Sequence, residues 1–143
     1  MRAVVQRVSK AEVRVGAEVT GRIGRGLVVL LGVALEDTDE EARALAGKIA
    51  KLRIFPSDVR PTDRSILDIK GEALVVSQFT LLADTSKGNR PSFVDAARPP
   101  EAVRLYELFC ALLREHGVPV ATGKFGAMME VELVNDGPVT IVL

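Results

Sequence analysis

The stretch LVVLLGV, residues 27–33, decides the fold because it carries no polar side chain on either face of a strand. Side chains of a strand alternate between the two faces of its sheet, so both faces must be covered here and the strand must be central. Upstream, valines and isoleucines between polar residues predict further antiparallel strands from Arg2 onward, joined at Gly16 and Gly24. Because no helix follows the glycine-rich segment 21–26, we expect a hairpin there and not a dinucleotide-binding loop.

Two helices are predicted after the central strand. Thr38 is the expected N-cap of the first helix, with Glu41 as its capping-box partner and acidic side chains in the first turn. Apolar residues at helical spacing extend this helix to residues 51–53, and it must end before Pro56. A second amphipathic helix is predicted over residues 100–117, opened by a proline and closed by a glycine.

The other segments complete an α+β domain. Residues 73–79 form the next predicted strand, and residues 82–100 form a loop long enough to indicate a function. Residues 118–134 and 139–143 are the last predicted strands, with residues 135–138 as the turn between them. The order βββ-α-β-α-ββ predicts a single domain over residues 1–143, built from mainly antiparallel, barrel-like sheet and two helices.

Composition excludes several classes of protein. The chain has 143 residues, of which 48% are hydrophobic, so it buries a substantial core and is not disordered. A single Cys and a single His exclude a disulfide and a structural zinc cluster. We expect no metal and no cofactor. The sequence also lacks a signal peptide and an apolar run of membrane-spanning length, which predicts a soluble cytoplasmic protein with Cys110 reduced.

Charge is balanced overall but divided locally. The 19 basic and 19 acidic residues cancel, so nothing attracts nucleic acid or membranes to the whole molecule. Residues 1–35 and 43–64 each carry six basic and two acidic residues, whereas residues 36–41 carry five acidic ones. The sequence therefore predicts local basic patches suited to RNA phosphates.

Two polar segments point to chemistry. In Ser77-Gln78-Phe79-Thr80-Leu81 a polar pair interrupts an apolar strand, and Gln78 must be either exposed or hydrogen-bonded. The segment NDGPVT, residues 135–140, places Gly-Pro just before an apolar run, where it makes either a turn or a rigid backbone corner.

These segments resemble the D-aminoacyl-tRNA deacylase family of the bacterial and eukaryotic type. The resemblance covers nearly the whole chain and includes QRV at 6–8, RIF at 53–55, SQFTL at 77–81, GNRPSF at 88–93 and NDGPVT at 135–140. The combination of SQFTL with NDGPVT is highly specific. One departure is Ser65-Ile66, where many members carry Met-Asn, so contacts of that Asn are not transferred to this chain.

The resemblance implies an obligate homodimer with active sites at the subunit interface. Its substrate is the 3′ end of an aminoacyl-tRNA, whose ester to a D-amino acid is hydrolysed; neither DNA nor a membrane is an expected partner. The family pattern assigns pocket-lining roles to Ser77, Gln78, Phe79 and Thr80, chiral selection to a cis Gly137-Pro138 element entering the opposite subunit, support of that element to Arg7, and the adenine wall to Phe125 and Met129.

Physical reasoning makes this assignment intelligible. A site that accepts many D side chains must recognise groups common to all, and the carbonyls of Gly137 and Pro138 can bind the α-amino group while colliding with an L side chain. Glycine has no side chain to reject, so glycyl-tRNA, including glycine mischarged on tRNA-Ala, is an expected substrate. Backbone N–H groups near Phe79 and Thr80 are candidates for stabilising the oxyanion. The resemblance implies that the 2′-hydroxyl of the substrate's own terminal ribose assists the attacking water.

Other interpretations stay open from the sequence. Ser77 or Thr80 as a covalent nucleophile is the rival mechanism, although neither has an evident base. A serine esterase would need His116 to meet Ser77, whereas His116 has the position of an ordinary helix C-terminal histidine. A deacylase of L-alanyl-tRNA and a non-catalytic dimer that binds tRNA ends are the remaining alternatives.

Overall fold

A computed structural model describes all residues, 1–143, and confirms the predicted order of elements as one α+β domain. The strands are β1 (Arg2–Val15), β2 (Glu18–Ile23), β3 (Gly26–Gly32), β4 (Glu72–Ser77), β5 (Val120–Thr122) and β6 (Glu130–Val142). The helices are α1 (Asp39–Lys51) and α2 (Glu101–Glu115), and a short 3-10 helix spans Phe79–Leu82. Neither α-helix is long and apolar enough to span a membrane.

The six strands form one sheet organised around β1. Strand β6 pairs antiparallel with β1 along nearly its whole length. On the other side of β1, β2 pairs with its second half and β3 with its first half, both antiparallel. Strands β4 and β5 then continue the sheet from β3 in parallel. The sheet is thus mainly antiparallel, with a parallel extension that the two helices make possible.

The hairpin predicted at residues 21–26 is wrong, because between β1 and β3 the chain reverses its direction once, at Gly16. Strands β2 and β3 follow each other along the same side of β1, so the segment between them is a bend within one return path. A Cβ atom at Gly26 would overlap the backbone of Glu72, and one at Gly21 would overlap the Thr122 carbonyl oxygen. These glycines permit close approach of neighbouring backbones. The contact between Gly21 and Thr122 brings β2 against β5 and curves the sheet toward a barrel.

Strand β3 is the predicted central strand, and it is buried on both faces. Its residues Leu27, Val29 and Leu31 belong to the large core beneath the helices. Val28 points to a second, smaller core on the opposite face of the sheet. Helices α1 and α2 cover the first face with buried residues that recur at helical spacing: Ala42, Ala46, Ile49 and Ala50 on α1, and Leu105, Phe109, Leu112 and Leu113 on α2.

The capping box of α1 is confirmed. Thr38 accepts a hydrogen bond from the backbone N–H of Glu40 at 3.3 Å, and the Thr38 backbone N–H donates to Glu41 Oε2 at 2.7 Å. The Thr38 hydroxyl and N–H hold the pKa of Glu41 below its ordinary value. The helix ends at Lys51, inside the predicted limit.

Three predicted boundaries are wrong. The strand predicted over residues 73–79 ends at Ser77, because the chain turns into the 3-10 helix. The predicted strand 118–134 is divided into β5 and β6 by an irregular segment. Residues 135–138 do not reverse the chain: β6 continues through them, and residues 136–139 bulge opposite Arg7 between the pairs Val8–Asn135 and Gln6–Thr140. A proline lacks an N–H for the ladder, and an edge strand tolerates that loss at a bulge.

Candidate functional site

The polar pair Ser77-Gln78 lies where β4 leaves the sheet. Ser77 is the last residue of β4 and pairs with Leu31, and the backbone N–H of Gln78 donates to the Leu31 carbonyl at 2.8 Å. The chain then enters the 3-10 helix, whose N-cap is Gln78. The side-chain amide of Gln78 donates to the hydroxyl of Thr80, so the amide is hydrogen-bonded without being buried. This end of β4 is therefore held by backbone bonds while its polar side chains stay accessible.

A groove of about 530 Å³ opens at this end of β4. Its lining is mostly apolar, and Arg98 is its only charged residue. Phe79 is 52% exposed and packs edge-on against Phe93, with ring centroids 5.0 Å apart. The residues lining the groove are Val76, Ser77, Gln78, Phe79, Phe93, Ala96, Ala97, Arg98, Pro99, Phe125, Gly126, Ala127, Met128, Met129 and Val131. Such a groove can bury a flat or apolar group and leaves a few polar atoms to orient it.

Phe125, which lines the groove, is positioned by α2. Its ring packs edge-on against Tyr106, with centroids 5.7 Å apart. Tyr106 is itself fixed, because its hydroxyl donates to the Val75 carbonyl at 2.7 Å in a buried hydrogen bond. Burial raises the pKa of Tyr106 above its ordinary value and raises the pKa of the neighbouring Cys110 thiol to about 11. Both groups are therefore neutral structural elements behind the wall.

The segment that contains Gly137-Pro138 is held from β1 by Arg7. Arg7 is 8% exposed, and its guanidinium donates to the Asp136 carbonyl at 3.0 Å and to the buried Ile54 carbonyl at 2.7 Å. A carboxylate oxygen of Asp136 lies 3.5 Å from Arg7 Nε. Gly137 has φ +125°, and the Gly137–Pro138 peptide bond is cis, as is Pro99–Pro100. A Cβ atom at Gly137 would lie 2.9 Å from Arg7 Nη2, so the guanidinium packs directly on this glycine.

A family model described as D-Tyr-tRNA(Tyr) deacylase matches residues 4–143. The chain belongs to this family. The D-aminoacyl-tRNA deacylase of Roseiflexus sp. (strain RS-1) is 62% identical over 143 residues, covering 100% of this chain and 92% of that protein. The D-aminoacyl-tRNA deacylase of Anaeromyxobacter dehalogenans (strain 2CP-C) is 60% identical, covering 100% of this chain and 96% of that protein. These matches confirm the family resemblance found in the sequence.

Among solved structures, the c-Myc DNA Unwinding Element Binding Protein superimposes on this deacylase-family chain with a TM-score of 0.92. The two are 45% identical, and the match covers 100% of this chain and 97% of that one. The fold described above is therefore the fold of a solved relative over its full length.

In this deacylase-family chain the predicted site residues form two groups. Ser77, Gln78, Phe79, Phe125 and Met129 line the one groove. Arg7, Gly137 and Pro138 lie together but outside this groove. Thr80 does not line the groove but accepts a hydrogen bond from Gln78, which does.

The remaining candidates lie elsewhere. His116 lines a different groove with α1, so the structure does not bring it to Ser77. Ser65 and Ile66 are buried in a turn closed by hydrogen bonds between Ser65 and Asp68. No three His, Cys, Asp or Glu side chains converge to hold a metal ion.

The length of the loop over residues 82–100 indicated a function, but the sequence did not show that residues 93 and 96–99 of this loop form a wall of the groove. This segment is tied to the end of β3, because the Ala97 N–H donates to the Val33 carbonyl at 2.9 Å and the Leu35 N–H donates to the Asp95 backbone carbonyl at 3.0 Å. The available signal was Phe93, the one aromatic residue of the loop over residues 82–100. An exposed aromatic residue in a long loop is a reasonable marker of a binding site.

Proposed function

We propose that this protein hydrolyses the ester bond of D-aminoacyl-tRNA and releases the free D-amino acid and the tRNA. The observation that carries the proposal is the groove at the end of β4, which Ser77, Gln78 and Phe79 line in a chain that belongs to the deacylase family. The apolar wall with Phe125 and Met129 suits the terminal adenine. Arg98, the only cation of the groove, suits a phosphate of the terminal nucleotides. Because its proposed substrate is tRNA, the proposed location of the protein is the cytoplasm.

The proposed reaction needs no covalent enzyme intermediate. Water attacks the ester carbonyl carbon, the carbonyl oxygen becomes an oxyanion, and the bond to the ribose oxygen then breaks as that oxygen takes a proton. The first N–H groups of a helix have no intrahelical acceptor, and Gln78 supplies no side-chain cap to the 3-10 helix. The N–H groups of Phe79 and Thr80 are therefore our candidates for the oxyanion, and the substrate's 2′-hydroxyl is our candidate for orienting the water.

Chiral selection is assigned, in this proposal, to the backbone of Gly137 and Pro138 acting across a homodimer. These residues do not line the groove of their own chain, which fits a role in the groove of a second copy. They belong to β6, an edge strand whose side chains are largely exposed. Their carbonyls would bind the α-amino group and exclude an L side chain, so glycyl-tRNA, including glycine on tRNA-Ala, would remain a substrate.

The decisive experiment is multiple turnover. Labelled D-tyrosyl-tRNA at a large excess over protein should release D-tyrosine to completion. Release limited to one equivalent of protein, or none, would favour a non-catalytic module that binds tRNA ends. Release of L-alanine from L-alanyl-tRNA in preference to D-tyrosine would instead favour the L-alanyl branch.

Two further experiments test the mechanism and the dimer. A substrate with a 2′-deoxy terminal adenosine should be hydrolysed far more slowly, whereas an unchanged rate would exclude the 2′-hydroxyl role. Thr80→Ala should retain turnover; its complete loss, without loss of folding, would favour Thr80 as nucleophile. Light scattering should give twice the mass of one chain, about 31 kDa from 15.4 kDa per chain, and a monomeric active protein would contradict the shared site.

A further inference from the structure

A second groove lies on the outer surface of α1 and carries an unusual concentration of positive charge. Its eight lining residues include no carboxylate; they are Arg43, Ala44, Gly47, Lys48, Lys51, Leu52, Arg53 and His116. We propose that this groove, named here the α1 groove, binds the phosphate backbone of the tRNA stem beyond its 3′ end. The inference rests on the proposed function and adds a contact surface remote from the reacting ester.

The α1 groove carries three cations that have no partner within the chain. Arg43, Lys48 and Lys51 are exposed and form no ion pair within the chain. Arg53 is partly neutralised, since its guanidinium lies 2.6 Å from Asp63 Oδ1. Three uncompensated positive charges on one concave surface attract a polyanion, and phosphate contacts of this kind position a nucleic acid without reading its sequence.

The helix dipole explains only part of this charge. Lys48 and Lys51 occupy the last turn of α1, where cations are favoured by the partial negative charge of the helix end. Arg43 lies in the first half of the helix, where that effect is absent. Gly47 leaves α1 open at the middle of the groove, and a Cβ atom there would lie 3.6 Å from Nε2 of His116. The surface is therefore assembled from both halves of α1 and from the end of α2.

The distance between the α1 groove and the groove at the end of β4 favours the tRNA stem as the ligand of the α1 groove. Arg98 and Pro99, just before α2, line the groove at the end of β4, named here the β4 groove, whereas His116, just after α2, lines the α1 groove. The 15 residues of α2 separate the two ends by roughly 22 Å at about 1.5 Å per residue. At about 3.4 Å per stacked nucleotide this distance is roughly six or seven nucleotides. A tRNA whose last nucleotide occupies the β4 groove would thus reach the α1 groove with its paired region.

The test uses uncharged tRNA first, so that binding is measured without catalysis. Lys48→Gln/Lys51→Gln and the wild-type protein are titrated with fluorescent tRNA between 50 and 200 mM salt. Each phosphate contact contributes about 0.7 to 0.9 to the slope of log K against log salt, or roughly threefold in affinity over this range. We expect the double variant to lose about 1.4 to 1.8 from that slope. Lys10→Gln is the matched control, because Lys10 shares its groove with the acidic Glu12 and Glu132.

Hydrolysis of two substrates then separates this inference from the proposed function. One substrate is D-tyrosyl-tRNA, and the other is the D-tyrosyl ester of the terminal tetranucleotide, which is too short to reach α1. The double variant should lose about tenfold in kcat/KM on the tRNA and keep the wild-type value on the short ester. Equal losses on both substrates, or a salt slope equal to that of the wild-type protein, would overturn the inference while deacylation stands. If the wild-type protein hydrolyses neither substrate, the proposed function fails. The titration with uncharged tRNA then still tests whether the α1 groove binds tRNA.

Discussion

Replacing Arg7 with Lys tests the link between the core of the protein and the segment assigned to chiral selection. The Arg7 guanidinium makes two hydrogen bonds to backbone carbonyls that lie far apart in sequence, one to Ile54 and one to Asp136. A lysine ammonium is a point donor and cannot reproduce both bonds of the planar fork.

The expected cost follows from the burial of each bond. The bond to the Ile54 carbonyl is buried, and a charged donor at such a site contributes about 2 kcal/mol. The bond to the Asp136 carbonyl is only partly buried and contributes about 1 kcal/mol after solvent is allowed for. Arg7→Ala should therefore lower the free energy of unfolding by about 3 kcal/mol, or the melting temperature by about 9 °C for a chain of this size. Arg7→Lys should cost about half as much.

Selectivity is the second measurement. If Arg7 holds Gly137 in place, then Arg7→Lys, which weakens this attachment by about 1.4 kcal/mol, should reduce the ratio of D- to L-tyrosyl-tRNA hydrolysis about tenfold. The control is Arg22→Lys, because Arg22 is an exposed arginine with a single partner, Glu12. Scanning calorimetry and paired deacylation assays supply both numbers. Wild-type melting temperature and wild-type selectivity in Arg7→Lys would refute this account of Arg7.

Three further predictions concern the fold around the site. Thr38→Ala should lower the free energy of unfolding by about 1 kcal/mol, measured by denaturant unfolding. Because the pKa of Glu41 is lowered in the folded protein, the stabilisation by Glu41 is complete above about pH 4.5 and is lost as the pH falls through the lowered pKa. A wild-type free energy of unfolding that does not fall in this acid range would contradict the role of Glu41. Gly26→Ala should prevent folding, since the added methyl overlaps the Glu72 backbone, and a soluble variant with a native circular dichroism spectrum would be evidence against the β3–β4 contact. The thiol of Cys110, with its pKa raised to about 11, should react with a disulfide reagent at pH 8 only after unfolding, whereas fast labelling of the native protein would show that the thiol is accessible.

The sequence predicts those parts of the fold where one physical cause dominates. The run at residues 27–33 is apolar on both faces, so both faces must be covered and the strand must lie inside the sheet. Thr38 and Glu41 satisfy each other's backbone groups at a fixed spacing, which makes the start of α1 readable from four residues.

Two of the wrong predictions, the hairpin at residues 21–26 and the chain reversal at residues 135–138, have a different cause, the ambiguity of glycine and proline. Gly21 and Gly26 indicated a turn, yet their lack of a Cβ atom serves close approach to β5 and β4. Only the partner strands distinguish these uses, and those are far away in sequence. Pro138 indicated a chain reversal, yet β6 is an edge strand that bulges at this point and continues.

The candidate site was predicted as far as local motifs extend. The polar pair Ser77-Gln78 stood out because it ends an apolar strand, and the SQFTL resemblance assigned Ser77, Gln78 and Phe79 to a pocket; all three line the groove. The loop over residues 82–100 was predicted to be functional, but its place as a wall of the groove was not, because that place depends on long-range hydrogen bonds to the end of β3, which leave no local pattern.

Hydrolysis of D-aminoacyl-tRNA by this chain, with rejection of the L-aminoacyl ester, is tested by one pair of rates. D-tyrosyl-tRNA and L-tyrosyl-tRNA are incubated separately with the same substoichiometric amount of protein, and release of the amino acid is followed. The account predicts that the D substrate is cleared at least about 100-fold faster, which corresponds to about 2.7 kcal/mol of discrimination against the L side chain. Equal rates for the two hands, or faster clearance of the L substrate, would contradict it.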